Sequence, residues 1–344
     1  MWNPALVAGR PFVMGFALAG CATATLGSTA VLAQSAHAAA NAGATFEVPA
    51  WAFPAPGTPA AAAPLDSVTL LHVPRSKAGF TQKRTRELFA VVDWRPETHP
   101  AMPGIVEHGR KPAVFACGYC HYPDGSGRPE NATLAGLPVE YFVQQVADMR
   151  SRVRRSASQV PFRPFESMRA IADSVSDAEV LEAARYFASV RPGKRSRVIE
   201  ATNVPRTIPG VGLYSPAPEA GVEPLGHRLI ELTPNLVSHE LRDPATEYVT
   251  YVPRGSIARG RALAMGDAHR GVKGCTTCHG PQLRGVGLVP PLAGRAPSAI
   301  LRQLLAFRTG ARASAAGTPM REMAATLSLD DMIAAAAFAG SLRP

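Results

Sequence analysis

The sequence predicts a mainly α-helical protein made of two related domains in tandem, with irregular N-terminal and inter-domain extensions. Three observations predict it. A gapless repeat at an offset of 158 residues pairs Cys117 with Cys275, Pro123 with Pro281, Gly127 with Gly285, and Leu134-Ala135-Gly136 with Leu292-Ala293-Gly294. The same offset pairs Gln145 with Gln303 and Arg150 with Arg308, and duplication is the simplest account. Second, Phe142, Val146 and Met149 in one copy, and Ile300, Leu304 and Phe307 in the other, recur at helical spacing, so each helix buries one stripe. Third, Ser176 with Glu179 and Ser328 with Asp331 form capping-box starts for a closing helix in each copy.

A chain of 344 residues with 46% hydrophobic content can build more than one core. The reading divides it into a leader (1–38), an N-terminal extension (39–100), a first domain (101–192), an inter-domain extension (193–254) and a second domain (255–344). The leader carries Arg10 as its only charge, runs through an apolar stretch from Pro11 to Ala33 and reaches Ala36-His37-Ala38. Those features mark an export signal. Leu18-Ala19-Gly20-Cys21 also resembles a lipobox, which would place lipid on Cys21, and the apolar run is long enough for an uncleaved anchor. The three alternatives stay open, and no later segment reads as a membrane span.

In the extensions, the Pro/Ala-rich tract from Pro49 to Pro64 reads as a linker. Val68-Thr69-Leu70-Leu71 and Val91-Val92-Asp93-Trp94 read as short strands or loops packed on the first domain. Arg197-Val198-Ile199-Glu200 and Leu229-Ile230-Glu231-Leu232 are strand candidates between the domains. Ile257 through Met265 predicts a helix in which Gly260 admits a close neighbour, with Gly109 as its counterpart in the first copy.

The chemistry is concentrated in the cysteines. Cys117-Gly118-Tyr119-Cys120-His121 and Cys275-Thr276-Thr277-Cys278-His279 both match the haem attachment pattern, two thiols for thioethers and a histidine for iron. Two intervening residues let both sulfurs reach one porphyrin edge, and the next residue brings its imidazole under the ring. A four-cysteine zinc site or redox disulfides compete with this reading, but a histidine follows both pairs. The expected cofactors are two covalently bound haem c groups. A haem iron used only as a carrier takes a second axial ligand, usually methionine. With the offset shortened by six, Met168 aligns with Met320 just before the capped helices. Met323 is a rival ligand, but its counterpart is Ile171, which cannot bind iron. Met149 matches Phe307 and reads as core.

The formal charge of +10 survives loss of the leader almost intact. Clusters at Arg150, Arg152, Arg154 and Arg155, and at Lys194, Arg195 and Arg197, read either as solvated surface or as docking sites for an acidic redox partner. Export argues against nucleic acid.

These residues resemble class I cytochromes c, specifically the tandem dihaem type called cytochrome c4. The resemblance covers residues 101–192 and 255–344. It rests on both CxxCH motifs, the Leu-Ala-Gly elements, and Met168 and Met320 before capped helices. It implies two class I cytochrome c domains, haem attached at Cys117, Cys120, Cys275 and Cys278, and axial ligation by His121, Met168, His279 and Met320. It also implies electron transfer, not catalysis, between periplasmic partners such as a dehydrogenase and a terminal oxidase, with the protein soluble or anchored outside the cytoplasmic membrane. The chain departs from the family in its extensions and at Pro290-Pro291, matched by Ala132-Thr133 in the first copy. A proline carbonyl there often receives the haem histidine's hydrogen bond, so the two sites are expected to differ in potential.

Rival functions are a dihaem peroxidase, a thiosulfate-oxidising enzyme, or a fixed relay subunit of a larger membrane complex. A peroxidase needs an openable iron position, and the thiosulfate enzymes a cysteine ligand, for which only Cys21 remains. His72, His99, His108, His227, His239 and His269 are the histidines that could line a substrate site.

Overall fold

A computed structural model describes residues 46–57, 64–267 and 273–344. The leader with Cys21, the middle of the Pro49–Pro64 tract and His269 lie outside the described residues. Residues 46–344 form one compact unit.

The first described residues of the N-terminal extension, including the start of the tract read as linker, are core. Val48, Ala52 and Phe53 are buried in a cluster with Phe162 of the first copy and Leu301 of the second. Phe53 meets the Phe162 ring edge-on at 5.3 Å. Composition misled here because the apolar side chains of Val48, Trp51 and Phe53 have more to gain from burial than the intervening prolines lose. Further on, Thr81 caps the single-turn helix α1 (Gln82–Thr85) by accepting from the Arg84 amide. Val91, Val92 and Trp94 are buried, and the Trp94 indole donates to the Leu241 carbonyl at 2.7 Å. Val68 and Leu70 stand in solvent; of that tetrad only Leu71 pairs, in a bridge to Phe80.

The first copy holds α2 (Gly104–Glu107), α3 (Cys117–His121), α4 (Val139–Arg150), α5 (Arg163–Ser174) and α6 (Asp177–Ser189). The predicted stripe Phe142, Val146 and Met149 packs with Val180, Ala184 and Phe187, and Phe142 stacks on Phe187 with centroids 6.3 Å apart. α6 opens with the predicted capping box of Ser176 and Glu179.

The inter-domain extension is not irregular. It contains β1 (Ser196–Glu200), β2 (Asn203–Pro205), β3 (Thr207–Pro209), β4 (Tyr214–Pro216), β5 (Val222–Pro224), β6 (Ile230–Leu232), the short helix α7 (Leu236–Glu240) and β7 (Tyr248–Val252). A mixed five-stranded sheet runs in the order β1-β7-β6-β4-β3, and β2 pairs with β5. β1 and β7 are parallel, with Ser196 opposite Tyr248, whereas β6 and β7 are antiparallel. β1 and β6 fall on the strand candidates at 197–200 and 229–232, whereas β7 is buried on almost all of its length and lacks the alternation that a period-two search needs.

The second copy holds α8 (Ser256–Met265), α9 (Thr276–His279), α10 (Pro297–Arg308), α11 (Thr318–Thr326) and α12 (Leu329–Ser341). Glu231 of the sheet caps α10 by accepting from the Ser298 amide at 3.0 Å, and Glu200 does the same for Ile257 in α8 at 2.7 Å. The sheet is thereby mounted on the second copy. At Gly260 a Cβ would sit 2.0 Å from the Ala334 carbonyl oxygen, so α8 crosses α12 backbone to backbone there. Gly109 does not play this part. It lies beyond α2 at φ 63°, packed against Val114 and Ala116, because the first copy's opening helix is a single turn.

The repeat survives in the hydrogen bonds. His121 and His279 carbonyls accept from Gly127 and Gly285 at 2.9 and 2.8 Å. Gly136 donates to Phe187, and Gly294 to Ala339, at 3.0 and 2.9 Å. The second pair carries the offset shortened by six residues. Among the described residues, no single helix is long and apolar enough to cross a membrane.

Candidate haem sites

Each predicted attachment segment is a short helix whose last residue is the histidine. All four cysteines are free thiols. Burial pushes the Cys117 thiol up to about 12, with the neighbouring Cys120 adding to it, and burial also raises Cys120 and Cys275. Neutral, buried thiols make poor redox nucleophiles. The two pairs lie in separate copies, and among the described residues no group of three His, Cys, Asp or Glu side chains could hold a metal ion. The zinc alternative therefore has no geometry behind it.

The histidines are matched. His121 Nδ1 lies 2.7 Å from the Ala132 carbonyl, and His279 Nδ1 lies 2.8 Å from the Pro290 carbonyl. A ring nitrogen facing a carbonyl must donate, which leaves Nε2 with the free lone pair. Burial lowers both imidazole pKa values, so both rings stay neutral and suited to a metal. These contacts correct one expectation. Replacing proline by Ala132 removes no hydrogen bond, because the acceptor is a backbone carbonyl that either residue supplies.

Met168 lies in α5 and packs on the apolar cluster that also receives Cys117. Met320 lies in the first turn of α11 and packs on the cluster that receives Cys275. Met149 and Phe307 are buried core at equivalent places, and Ile171 packs in the first cluster. Met323 joins neither cluster.

The surroundings of the two motifs differ. Over the first, the Arg242 guanidinium lies 3.6 Å from the Tyr119 ring centroid and donates to the Tyr119 carbonyl at 2.9 Å. Asn131 donates to the Cys120 carbonyl, and the Ala116 amide donates to Leu88 of the N-terminal extension. Arg242 came from no motif, since only the folded extension brings it to Tyr119. Over the second motif nothing comparable lies among the described residues: Thr277 and Cys278 are exposed.

Several residues of the basic clusters make contacts within the fold, while Arg155 and Arg197 are exposed. Arg150 donates to the Ala172 and Val175 carbonyls and pairs with Asp177; Arg152 pairs with Asp173; Arg195 pairs with Asp124; Lys194 donates to the Ser341 carbonyl. Arg154 sits at the junction of the copies. The described histidines outside the motifs are likewise engaged: His72 with the Ala78 carbonyl, His99 with Asp93 and Tyr186, His108 with Glu107, His227 with Asp330, and His239 with Tyr248.

No protein-family model matches the chain. Cytochrome c4 from Azotobacter vinelandii is 27% identical over 226 residues, 64% of this chain and 82% of that protein. The chain is cytochrome c4-like. This cytochrome c4-like chain is also 28% identical over 234 residues to a "thiosulfate dehydrogenase electron acceptor" of Stutzerimonas stutzeri (strain A1501), covering 67% of this chain and 80% of that one. A crystal structure of reduced recombinant cytochrome c4 from Pseudomonas stutzeri aligns with a TM-score of 0.42 at 25% identity, over 66% of this chain and 93% of that one.

Proposed function

We propose that this chain is an electron carrier with two covalently attached haems, one in each of two class I cytochrome c domains at residues 101–192 and 255–344. The observation that carries this reading is the matched pair of local frames. Each frame supplies two free thiols, a neutral imidazole held through Nδ1 by a carbonyl, and a methionine packed on the same apolar cluster as the first cysteine.

The donor set fits haem c. Cys117 and Cys120, and Cys275 and Cys278, would carry the thioethers; His121 with Met168, and His279 with Met320, would be the axial ligands. Haem, when bound, supplies a one-electron couple. The chain's own residues then do three things. Ala132 and Pro290 carbonyls fix the tautomer and orientation of the imidazoles. The apolar clusters around Phe187 and Leu305 exclude water. Met168 and Met320, as second ligands, would fill the position that a peroxide or thiosulfate needs, which favours carriage over catalysis.

The leader would export the chain to the periplasm, soluble or held outside the cytoplasmic membrane through Cys21 or the leader itself. Relatives named cytochrome c4 and thiosulfate dehydrogenase electron acceptor support protein redox partners, with a dehydrogenase as the donor class. The test is the intact mass of the exported protein. Two covalent haem additions are expected, falling to one in a Cys117→Ala/Cys120→Ala variant; one addition or none in the native chain would refute the reading.

A further inference from the structure

The two copies differ sharply in what they leave open around their attachment segments. In the first copy, the attachment segment lies under residues 85–91 and Arg242, which is 7% exposed. Arg242 donates at 2.9 Å both to Thr85 and to Tyr119. The loop after the first motif is closed too. Arg128 and Glu130 form a 2.7 Å ion pair, with Glu130 only 8% exposed, beneath His239.

At the same two places in the second copy, 158 residues on, stand Val286 and Leu288, which are 58% and 61% exposed. They belong to one tight turn, in which Val286 bridges to Val289. That turn touches the attachment segment, since a Cβ on Gly280 would meet the Val286 side chain. On the other side Thr276 donates to the Ala264 carbonyl, next to Met265, which is 64% exposed. Among the described residues, Met265, Val286 and Leu288 thus stand as exposed apolar side chains beside the second motif. Its flanks are basic. Arg261, Lys273 and Arg284, which precede and follow the motif in the sequence, are exposed.

We propose that the second copy is the port through which this protein exchanges electrons with other proteins, and that the first copy exchanges them only through the second. The occupant is a redox protein with an apolar contact centre ringed by carboxylates. An apolar centre with a charged rim is the usual anatomy of a protein interface, and unlike charges steer encounter. The inference rests on the carrier reading above.

The test uses the full holoprotein and, as probe, plastocyanin carrying its acidic patch, a one-electron protein of the stated chemistry. Electron transfer to it is followed by stopped flow for the native chain, Val286→Glu/Leu288→Glu, and Lys83→Glu, which places the same kind of charge change on the exposed cover of the first copy. The double variant is expected to be about tenfold slower or more, the native rate to fall with salt, and Lys83→Glu to match the native chain. Equal slowing in Lys83→Glu, or an unslowed double variant, would overturn the proposal. A native rate that rises when the chain is diluted would place a second copy of the chain on the patch, and would overturn it equally. Two covalent haems and unchanged potentials in every variant keep the carrier reading intact whichever result is obtained; loss of haem would count against that reading instead.

Discussion

Arg154 and Arg312, equivalent residues of the two copies, face each other in an antiparallel bridge across their junction. The Arg155 amide donates to Ala311, and the Ala313 amide to Val153, both at 2.7 Å. Each guanidinium reaches both equivalent glutamines: Arg154 donates to Gln145 and Gln303 at 3.0 and 3.4 Å, and Arg312 to the same two at 2.5 and 3.2 Å. The copies are therefore joined by a local two-fold relationship, with four side chains sharing two acceptors and, among the described residues, no carboxylate in an ion pair with either arginine.

Replacing Arg312 by Met removes donors from two glutamine oxygens at a site where the arginine is 8% exposed. Arg154 still donates to both glutamine oxygens, so the variant loses two hydrogen bonds but strands no acceptor, at about 0.5–1.5 kcal/mol for each bond. Urea unfolding of Arg312→Met should show a loss of that size, and Gln145→Leu/Gln303→Leu in the same background should add to it, because Arg154 then loses both acceptors. No further loss would show that the glutamines are not the acceptors that matter.

Gly260→Ala drives a methyl into the Ala334 carbonyl, with no flexible side chain to yield. Overpacking of this kind costs about 1–3 kcal/mol and more where backbone must move. Gly104→Ala, at the start of α2 with nothing within 4 Å of its Cβ, should be neutral or stabilise by about 0.4–1 kcal/mol. Thermal unfolding of the two variants should move the midpoint in opposite directions or by very different amounts.

Arg242 places a buried positive charge against the first motif alone. A nearby cation disfavours the more positive oxidised state, so Arg242→Met should lower one midpoint potential and leave the other in place. The shift should be on the order of 50 mV. A potentiometric titration in which both waves move together would contradict this. The expected inequality of the two sites thus rests on cover and charge, not on the proline first singled out.

Burial, helped by the charge of Arg128, lowers the His239 pKa to about 3 from an ordinary 6.5. The unfolded chain therefore binds this proton first. The contribution of neutral His239 is complete above about pH 6.5 and is lost progressively as the pH falls toward 3. Between pH 7 and pH 5 the native protein should lose more stability than His239→Gln, as read from denaturant midpoints. Equal losses would show that His239 is not the group responsible.

The proposed sites could be read from the sequence because their chemistry is written locally. Two cysteines and a histidine in five residues, and a methionine at a fixed distance from a capped helix, need no knowledge of the rest of the chain. The repeat then separated Met320 from Met323 and Met149 from the candidate ligands. Of the sheet, β1 and β6 were legible as strand candidates, but β7 was not, since Thr250 faces the interior and erases the alternation that marks a strand. Val48 and Phe53 were hidden by the prolines around them, and Arg242 meets Tyr119 across more than a hundred residues, a distance at which sequence carries no signal.

The most direct measurement is the optical spectrum of the reduced holoprotein before and after carbon monoxide. The account predicts two low-spin haems, both ligated by methionine and both indifferent to carbon monoxide. Ready binding of carbon monoxide at either haem would contradict the assignment of Met168 or Met320 at that site, and with it the carrier function.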